Sequence, residues 1–472
     1  MIKADISSAG KLSSGSIQTK NFFGYGWYEA RLKFTRQQGW WSSFWLWGTG
    51  HNPMLDGIEI DVFEDYYTRK ALPGKPLTLD HNLHTMTGNT GKSWNYLSTI
   101  PAKAFEEFHT IACKRTPFEI SQYLDGKLIA STAAHSPHDG VVFDPVNHGG
   151  GQAKLQAIFS GIPMRAWGKQ WSDPAKGKFP EYFVVDHFKF YQYPEEKAPK
   201  IVWKNKVKNE LLMLRPGAKF VFEAAARPSD QTKSPVEELF LMDNGAIISS
   251  VSGSSGRFEI AVEPLYYNNT PYLAPGRSGI IPTLDGLHSF SVFAQDAASA
   301  GSCTEPFSVM IVPDKPTRPY QGKAAVIPGN LNPAFYDEGG NGTAYSDDRG
   351  NFFNKPGKSP FRPGEDVDAT GTTIGRVVAG EWLKYTVDIA EDAVYRAELE
   401  CGTPVKGRKH ALYLFIDGTK EPAGVFHIKP HDENHWRCDS RVTAKIKLPK
   451  GRHRLVLVPV GLFNFGTINF KK

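Results

Sequence analysis

Along most of the chain, apolar and polar residues alternate with period two in short runs, and turn-forming residues separate the runs. This is the pattern of half-buried β-strands. From Ile17 to about Tyr193 the runs are closely spaced. Tyr25 to Phe34 alternates aromatic or apolar with polar residues, and Phe183 to Tyr191 forms another strand-like run. Phe118 to Ala130 predicts two strands joined at Asp125-Gly126, a favoured hairpin turn. After the proline-bearing joint Pro194 to Lys200, strands become shorter and lie between Gly, Ser and Pro clusters. Leu287 to Ala294 and Phe307 to Val312 are the clearest of these. Pro313 to Pro319 reads as a second linker, stiffened by three prolines. A third β-rich block follows and closes with Arg454 to Val458 and Thr467 to Phe470. No periodic internal repeat is present.

These joints predict three all-β domains, at 1-196, 197-313 and 320-472, with two β-sandwiches following the first block. A length of 472 residues fits about three domains. The 45 glycines, 33 prolines and 12% aromatic content agree with strands and leave little room for helix.

The formal charge of +6 does not point to a polyanion. Residues 1 to 196 hold 20 Lys and Arg against 19 Asp and Glu, and the surplus is thinly spread over the remainder. Scattered charge of this kind is a solvated surface, so no nucleic-acid partner is expected. No stretch of about 20 apolar residues exists to span a membrane. Four cysteines fit neither a disulfide scaffold nor a zinc spacing. Cys113 and Cys303 read as lone core residues, while Cys401 and Cys438 fall in one block and would pair if their distance allows.

The densest chemistry lies in Gly57-Ile-Glu-Ile-Asp-Val-Phe-Glu64. On a regular strand Glu59 and Asp61 share a face, and Glu64 points the other way. One extra residue around Val62-Phe63 would return Glu64 to the face of the other two, so the spacing predicts a β-bulge. Gathered carboxylates repel, which raises the proton affinity of at least one and separates their roles. An edge strand of solvated acids is the competing reading. Ile58, Ile60, Val62 and Phe63 argue against it, because they predict a buried far face. Upstream, Trp40, Trp41, Trp45 and Trp47 crowd into nine positions and cannot all line one cleft. Strand parity places Trp41 and Trp45 together, and these two are taken as the sugar-stacking candidates.

The run Gly24 to Phe34, the tryptophans from Trp40 to Trp47 and Glu59-Ile-Asp-Val-Phe-Glu64 together resemble glycoside hydrolase family 16, as do His81-Asn-Leu-His84 and Val185 to Tyr191. This is the family of laminarinases, agarases, porphyranases and carrageenases. The resemblance implies a jelly-roll sandwich over about residues 15 to 193. It implies Glu59 as nucleophile, Glu64 as acid and then base, Asp61 as the group tuning the nucleophile, and retention at the anomeric carbon. His84 matches a family histidine near the subsite floor. Family members usually carry several dozen residues ahead of the stretch matching Gly15 to Phe34. The sandwich is therefore expected to lack its N-terminal strands, and the export signal of a secreted or cell-surface enzyme is expected to be missing from this sequence.

Val326 to Gly329, Phe335 to Asp347, Ala379 to Val387 and Gly461 to Asn464 resemble a family 6 carbohydrate-binding module. That resemblance implies a ligand cleft of Tyr345, Trp436 and Asn464, two aromatics and an amide. Where the family places acidic calcium ligands, this chain has Asn332-Pro-Ala334, so neither metal nor cofactor is expected. The middle block resembles bacterial immunoglobulin-like spacers.

Together these imply a monomeric, endo-acting hydrolase of a β-linked polysaccharide. The bulged Glu-x-Asp-x-x-Glu spacing resembles laminarinases and marine galactanases. The loops after Glu64 tilt the expectation to a red-algal galactan of agar, porphyran or carrageenan type, with endo-1,3-β-glucanase as the alternative. A sulfated galactan would call on Arg69, Lys70, Lys92 or Arg165. A polysaccharide-binding protein without turnover is the alternative of another class, and it has no need of the acid triad.

Overall fold

Alternation sets the first block. In a computed structural model, the described residues are 1–7, 11–35, 40–48, 58–65, 77–85, 92–100, 107–116, 119–133, 155–163, 178–192, 195–205, 211–243, 246–263, 280–282, 286–298, 300–304, 307–347, 359, 361–406, 409–432 and 435–472. Among the described residues of this block there are thirteen strands. They are β1 (Ile2–Ile6), β2 (Leu12–Ser13), β3 (Ser16–Gln18), β4 (Gly26–Lys33), β5 (Trp40–Gly48), β6 (Ile58–Asp65), β7 (Leu77–Thr85), β8 (Lys92–Ile100), β9 (His109–Arg115), β10 (Glu119–Leu124), β11 (Lys127–Ala133), β12 (Leu155–Pro163) and β13 (Glu181–Tyr191). One sheet runs β11-β10-β9-β4-β13-β1-β2 and the other β3-β12-β5-β6-β7-β8. The segment from Ile2 to Gln18 thus supplies strands to both sheets.

The core between the sheets follows strand parity. Tyr28, Ala30 and Leu32 of β4 face Phe44 and Leu46 of β5 and Ile60, Val62 and Phe63 of β6. Phe44 stacks on Phe159 with ring centroids 4.7 Å apart. Each such buried side chain contributes about 1.5–3 kcal/mol of transfer free energy. The β10–β11 hairpin turns at Asp125 (φ 48°) and Gly126 (φ 76°), and two consecutive positive φ values are what a type I′ turn requires.

The middle block has a four-stranded and a larger sheet around Leu212, Phe222, Leu239, Phe258, Phe290 and Val309. In the third block, one sheet contains Trp382–Ile389, His410–Ile416 and Gly451–Val460. The facing sheet contains Ala393–Gly402, Ser440–Leu448 and Phe463–Lys471. The architecture is all-β, as the alternation predicted. Cys401 and Cys438 are unbridged, so they do not form the disulfide considered from sequence.

Residues 313–319 are not a bare spacer. Lys384 Nζ donates to the Pro313 carbonyl at 2.6 Å, and Thr317 Oγ1 donates to Asp337 at 2.5 Å. Beside them an apolar seam joins the middle and third blocks. Leu211, Met213, Met310 and Val312 pack against Trp382, Ala411, Tyr413, Phe415, Val456 and Val458, all of them buried. Asp314 bridges Arg215 (2.6 Å) and Arg454 (3.3 Å) at the rim. The Met213 amide donates to the Lys420 carbonyl at 2.9 Å.

Candidate active site

The expected bulge is present at Val62. On the β5 side, Phe44 pairs Phe63 while Trp45 pairs Asp61, so Val62 has no partner of its own. Against β7, the register also shifts between Asp61, opposite Asn82, and Glu64, opposite Asp80. The extra residue lets Val62 and Phe63 both enter the core, each fully buried. It returns Glu64 to the face of Glu59 and Asp61.

Burial then sets the electrostatics. Asp61 is 2% exposed and Glu64 5%, while Glu59 is half-buried. Burial pushes the Asp61 carboxyl well above the ordinary range near 3.8. The neighbouring charge of Glu64 and a hydrogen bond to it push the same way, and Asp80 adds to the effect. Asn82 Nδ2 donates to Glu64 Oε2 and so fixes one carboxylate edge.

The bulge itself is held by His81, which the sequence reading did not select. Its Nδ1 lies 2.6 Å from the Val62 carbonyl and its Nε2 lies 2.7 Å from Ser98 Oγ. A carbonyl only accepts, so Nδ1 carries the proton and Nε2 accepts from Ser98. The ring is completely buried, and burial lowers its pKa from 6.5 to about 4. It is therefore a neutral clamp on Val62, which pairs with neither β5 nor β7 in register.

Cross-strand pairing gathers the aromatic side of the site. Trp47 lies opposite Glu59, Trp45 opposite Asp61 and Ser43 opposite Glu64, so strand parity places Trp41, Ser43, Trp45 and Trp47 on one face. Trp45 and Trp41 are half-buried, whereas Trp40 belongs to the core. Trp45 Nε1 donates to Ser160 Oγ at 3.1 Å, and Ser160 also bonds Ser43 at 2.8 Å. Trp47, missed in the sequence reading, meets Trp45 edge-on at 5.8 Å. His84 stands opposite Glu59 in register, and its side chain lies outside the described residues. So do the Lys92 side chain and all of Arg69, Lys70 and Arg165.

In the third block, Trp436 and Asn464 are brought together, because Asn464 Nδ2 donates to the Trp436 carbonyl at 2.7 Å. Tyr345 is not with them. It is 3% exposed in the sandwich core, edge-on to Tyr336 at 5.4 Å, and accepts from the Asp366 amide at 3.4 Å. The expected stacking role is corrected on that ground, since neither ring face is open. Arg376 takes that place. Its guanidinium lies 5.1 Å from the Trp436 ring centre and its amide donates to Asn464 Oδ1 at 2.6 Å. At φ 48° its backbone is in the left-handed region. At Asn332, Nδ2 donates to the Gly371 carbonyl at 2.8 Å and Oδ1 accepts from the Ala334 amide at 3.0 Å, the role of a cap.

Residues 3–156 match the pattern of the glycosyl hydrolases family 16. The first block is a family 16 glycosyl hydrolase domain. Residues 363–472 match the carbohydrate binding module (family 6), so this family 16 domain shares its chain with a family 6 module. A β-glucanase of Acetivibrio thermocellus is 33% identical over 117 residues, which are 25% of this chain and 31% of the relative. The match thus spans about a third of that relative's length. Among solved structures, a family 16 endo-glucanase of Bacteroides ovatus has 17% identity and a TM-score of 0.33, over 40% of this chain and 79% of its own. The laminarinase of Flavobacterium sp. UMI-01 has 24% identity and a TM-score of 0.32, over 40% and 77%.

Proposed function

We propose that the chain is an endo-acting, retaining hydrolase of a β-linked polysaccharide. The observation that carries this reading is the Val62 bulge, which sets Glu59, Asp61 and Glu64 along one face beside Trp45 and Trp47. Glu59 attacks the anomeric carbon while Glu64 gives its proton to the departing glycosidic oxygen. Water then gives a proton to Glu64 as its oxygen displaces Glu59, so both acids return to their starting states with retention. Asp61 holds a proton between the two and steadies whichever carboxylate is charged. Tryptophan faces along β5 supply stacking surface for sugar rings.

Within this class the substrate is a red-algal galactan, on the sequence of the loops after Glu64, since the bulged acid spacing is common to galactanases and laminarinases. A β-1,3-glucan is the second reading, and the 33% identity to a β-glucanase favours a β-glucan without naming its linkage. The family 6 module, with Trp436 and Asn464 in its cleft, raises the effective concentration of the enzyme on an insoluble polymer outside the cell. Incubation with laminarin, agarose, porphyran and carrageenans, with product sizing and anomer analysis by NMR, tests the assignment. Release of β-configured oligosaccharides from one polymer supports it. Inversion of configuration, or activity of Glu59→Ala equal to that of the parent, would overturn it.

A further inference from the structure

The loop between the strands Gly424–Ile428 and Ser440–Leu448 gathers His431, His435 and Asp439, whose donor atoms all lie within 4.8 Å of one another. His431 Nε2 is 3.4 Å from one Asp439 carboxylate oxygen and His435 Nε2 is 3.9 Å from the other. The two imidazole rings sit 4.3 Å apart, centre to centre. Four donors around a tetrahedral zinc ion, at ordinary zinc–nitrogen and zinc–oxygen lengths, stand ~3.3 Å from each other. The observed spacings need only a small inward movement to reach that value.

The surroundings prepare such a site. Ser440 Oγ lies 3.2 Å from His431 Nδ1, on the ring atom opposite the one facing Asp439. A metal-bound imidazole needs a partner of that kind to hold its tautomer and orientation. His431 Nε2 donates to the Arg437 carbonyl at 3.0 Å, a bond the ring exchanges for the ion once Nδ1 takes the proton and donates it to Ser440 Oγ. The Arg437 amide lies 3.4 Å from His435 Nδ1, a long contact that the ring can give up on turning to an ion. Gly402 packs beneath, and a Cβ there would stand 1.8 Å from the Arg437 carbonyl and 2.5 Å from His431 Nε2. Only glycine lets the loop lie this close to the strand below it.

We propose that His431, His435 and Asp439 bind one divalent late first-row metal ion, zinc being the best match to two imidazoles and a carboxylate, with water completing a four-coordinate shell. The ion ties the two ends of the loop that carries Trp436. Since the Trp436 carbonyl is held by Asn464, metal loading would stiffen one wall of the module's cleft. That consequence rests on the glycan-binding reading above, whereas the metal site does not.

The test uses the tag-free full chain, stripped with a chelator and titrated with zinc chloride by calorimetry. One equivalent is expected to bind, and His435→Gln and Asp439→Asn are each expected to weaken binding at least about 10-fold. His427→Gln, at an exposed position on the strand before the loop, is expected to leave it unchanged. Cobalt loading should give the intense visible bands of a four-coordinate ion in the parent and lose them in His431→Gln. Absence of stoichiometric uptake, or uptake unchanged in a His435→Gln/Asp439→Asn double variant that unfolds at the parent's temperature without metal, would overturn the proposal. Loss of polysaccharide hydrolysis with zinc uptake intact would instead strike the functional reading and leave the metal site standing.

Discussion

His81 offers the sharpest quantitative test, because one ring both titrates and holds the bulge. In the fold its pKa is about 4, against 6.5 when unfolded. A lowered histidine pKa means that the unfolded chain takes up the proton first. The neutral clamp therefore stabilises fully above pH 6.5, and this contribution falls away as pH drops toward 4. Each pH unit of pKa difference corresponds to 1.36 kcal/mol, so His81 withdraws about 3 kcal/mol of stability across that window. Asp61 has the opposite sign, because its raised pKa makes the folded state hold more protons as pH falls. The comparison must therefore be between parent and variant. His81→Asn keeps a donor near the Val62 carbonyl but does not titrate, while His81→Leu leaves that buried carbonyl without its donor. At pH 7, His81→Leu is expected to cost about 1–3 kcal/mol for the orphaned acceptor. Displacement of Glu64 through the loosened bulge adds a kcat loss on the order of 100-fold. Urea unfolding followed by tryptophan fluorescence suits the measurement, since eight of the 11 tryptophans precede residue 196. The stability of His81→Asn relative to the parent should rise by about 3 kcal/mol from pH 6.5 to pH 4. A flat difference over that range would refute the picture of a buried neutral clamp.

Other expectations follow from the same geometry. Glu64→Gln should lower kcat by about 10²- to 10⁴-fold, the usual range for removing a general acid. Adding azide to Glu59→Ala should yield a glycosyl azide of inverted configuration, whereas Glu64→Ala should yield the retained one. NMR of the products separates the two roles, and identical products would sink the assignment. Asp61→Asn removes a group whose proton is lost, at a cost to the fold, as pH rises through its raised pKa. Thermal scans should therefore show the variant gaining stability relative to the parent as pH rises above the ordinary carboxylate range, even as kcat falls. Met213→Asp places a charge in the buried seam. Calorimetry should show the middle and third blocks melting in one transition in the parent and in two in the variant.

Sequence gave up the catalytic geometry more readily than the binding geometry, and the reason is physical. Three acids and four apolar residues on one strand satisfy both faces only if one residue is extra, so parity alone forces the bulge. Trp47 shares the parity of Trp41 and Trp45, and sequence alone does not say how many of the three tryptophans face a cleft. Tyr345 shows the limit of that ambiguity, since its sequence neighbours resemble a ligand loop while its ring packs on Tyr336. Arg376 was invisible for another reason, because nothing local marks a charged residue at positive φ as the partner of a tryptophan 60 positions away. His81 lies beside His84 in the segment that drew notice, but its role depends on a carbonyl across the sheet. The seam between middle and third blocks was marked in sequence only by continuous apolar runs such as Leu211–Leu214, which signal a strand buried on both faces without naming what covers the second face.

That seam also bears on how such chains are assembled and cut. A break within 313–319, the most linker-like stretch after the first block, would bare Trp382, Tyr413, Phe415 and Val458 on one side and Met213 and Met310 on the other. A C-terminal module released there would carry an adhesive apolar face and tend to self-associate. The middle and third blocks are thus a matched pair, and a graft onto another enzyme should carry both.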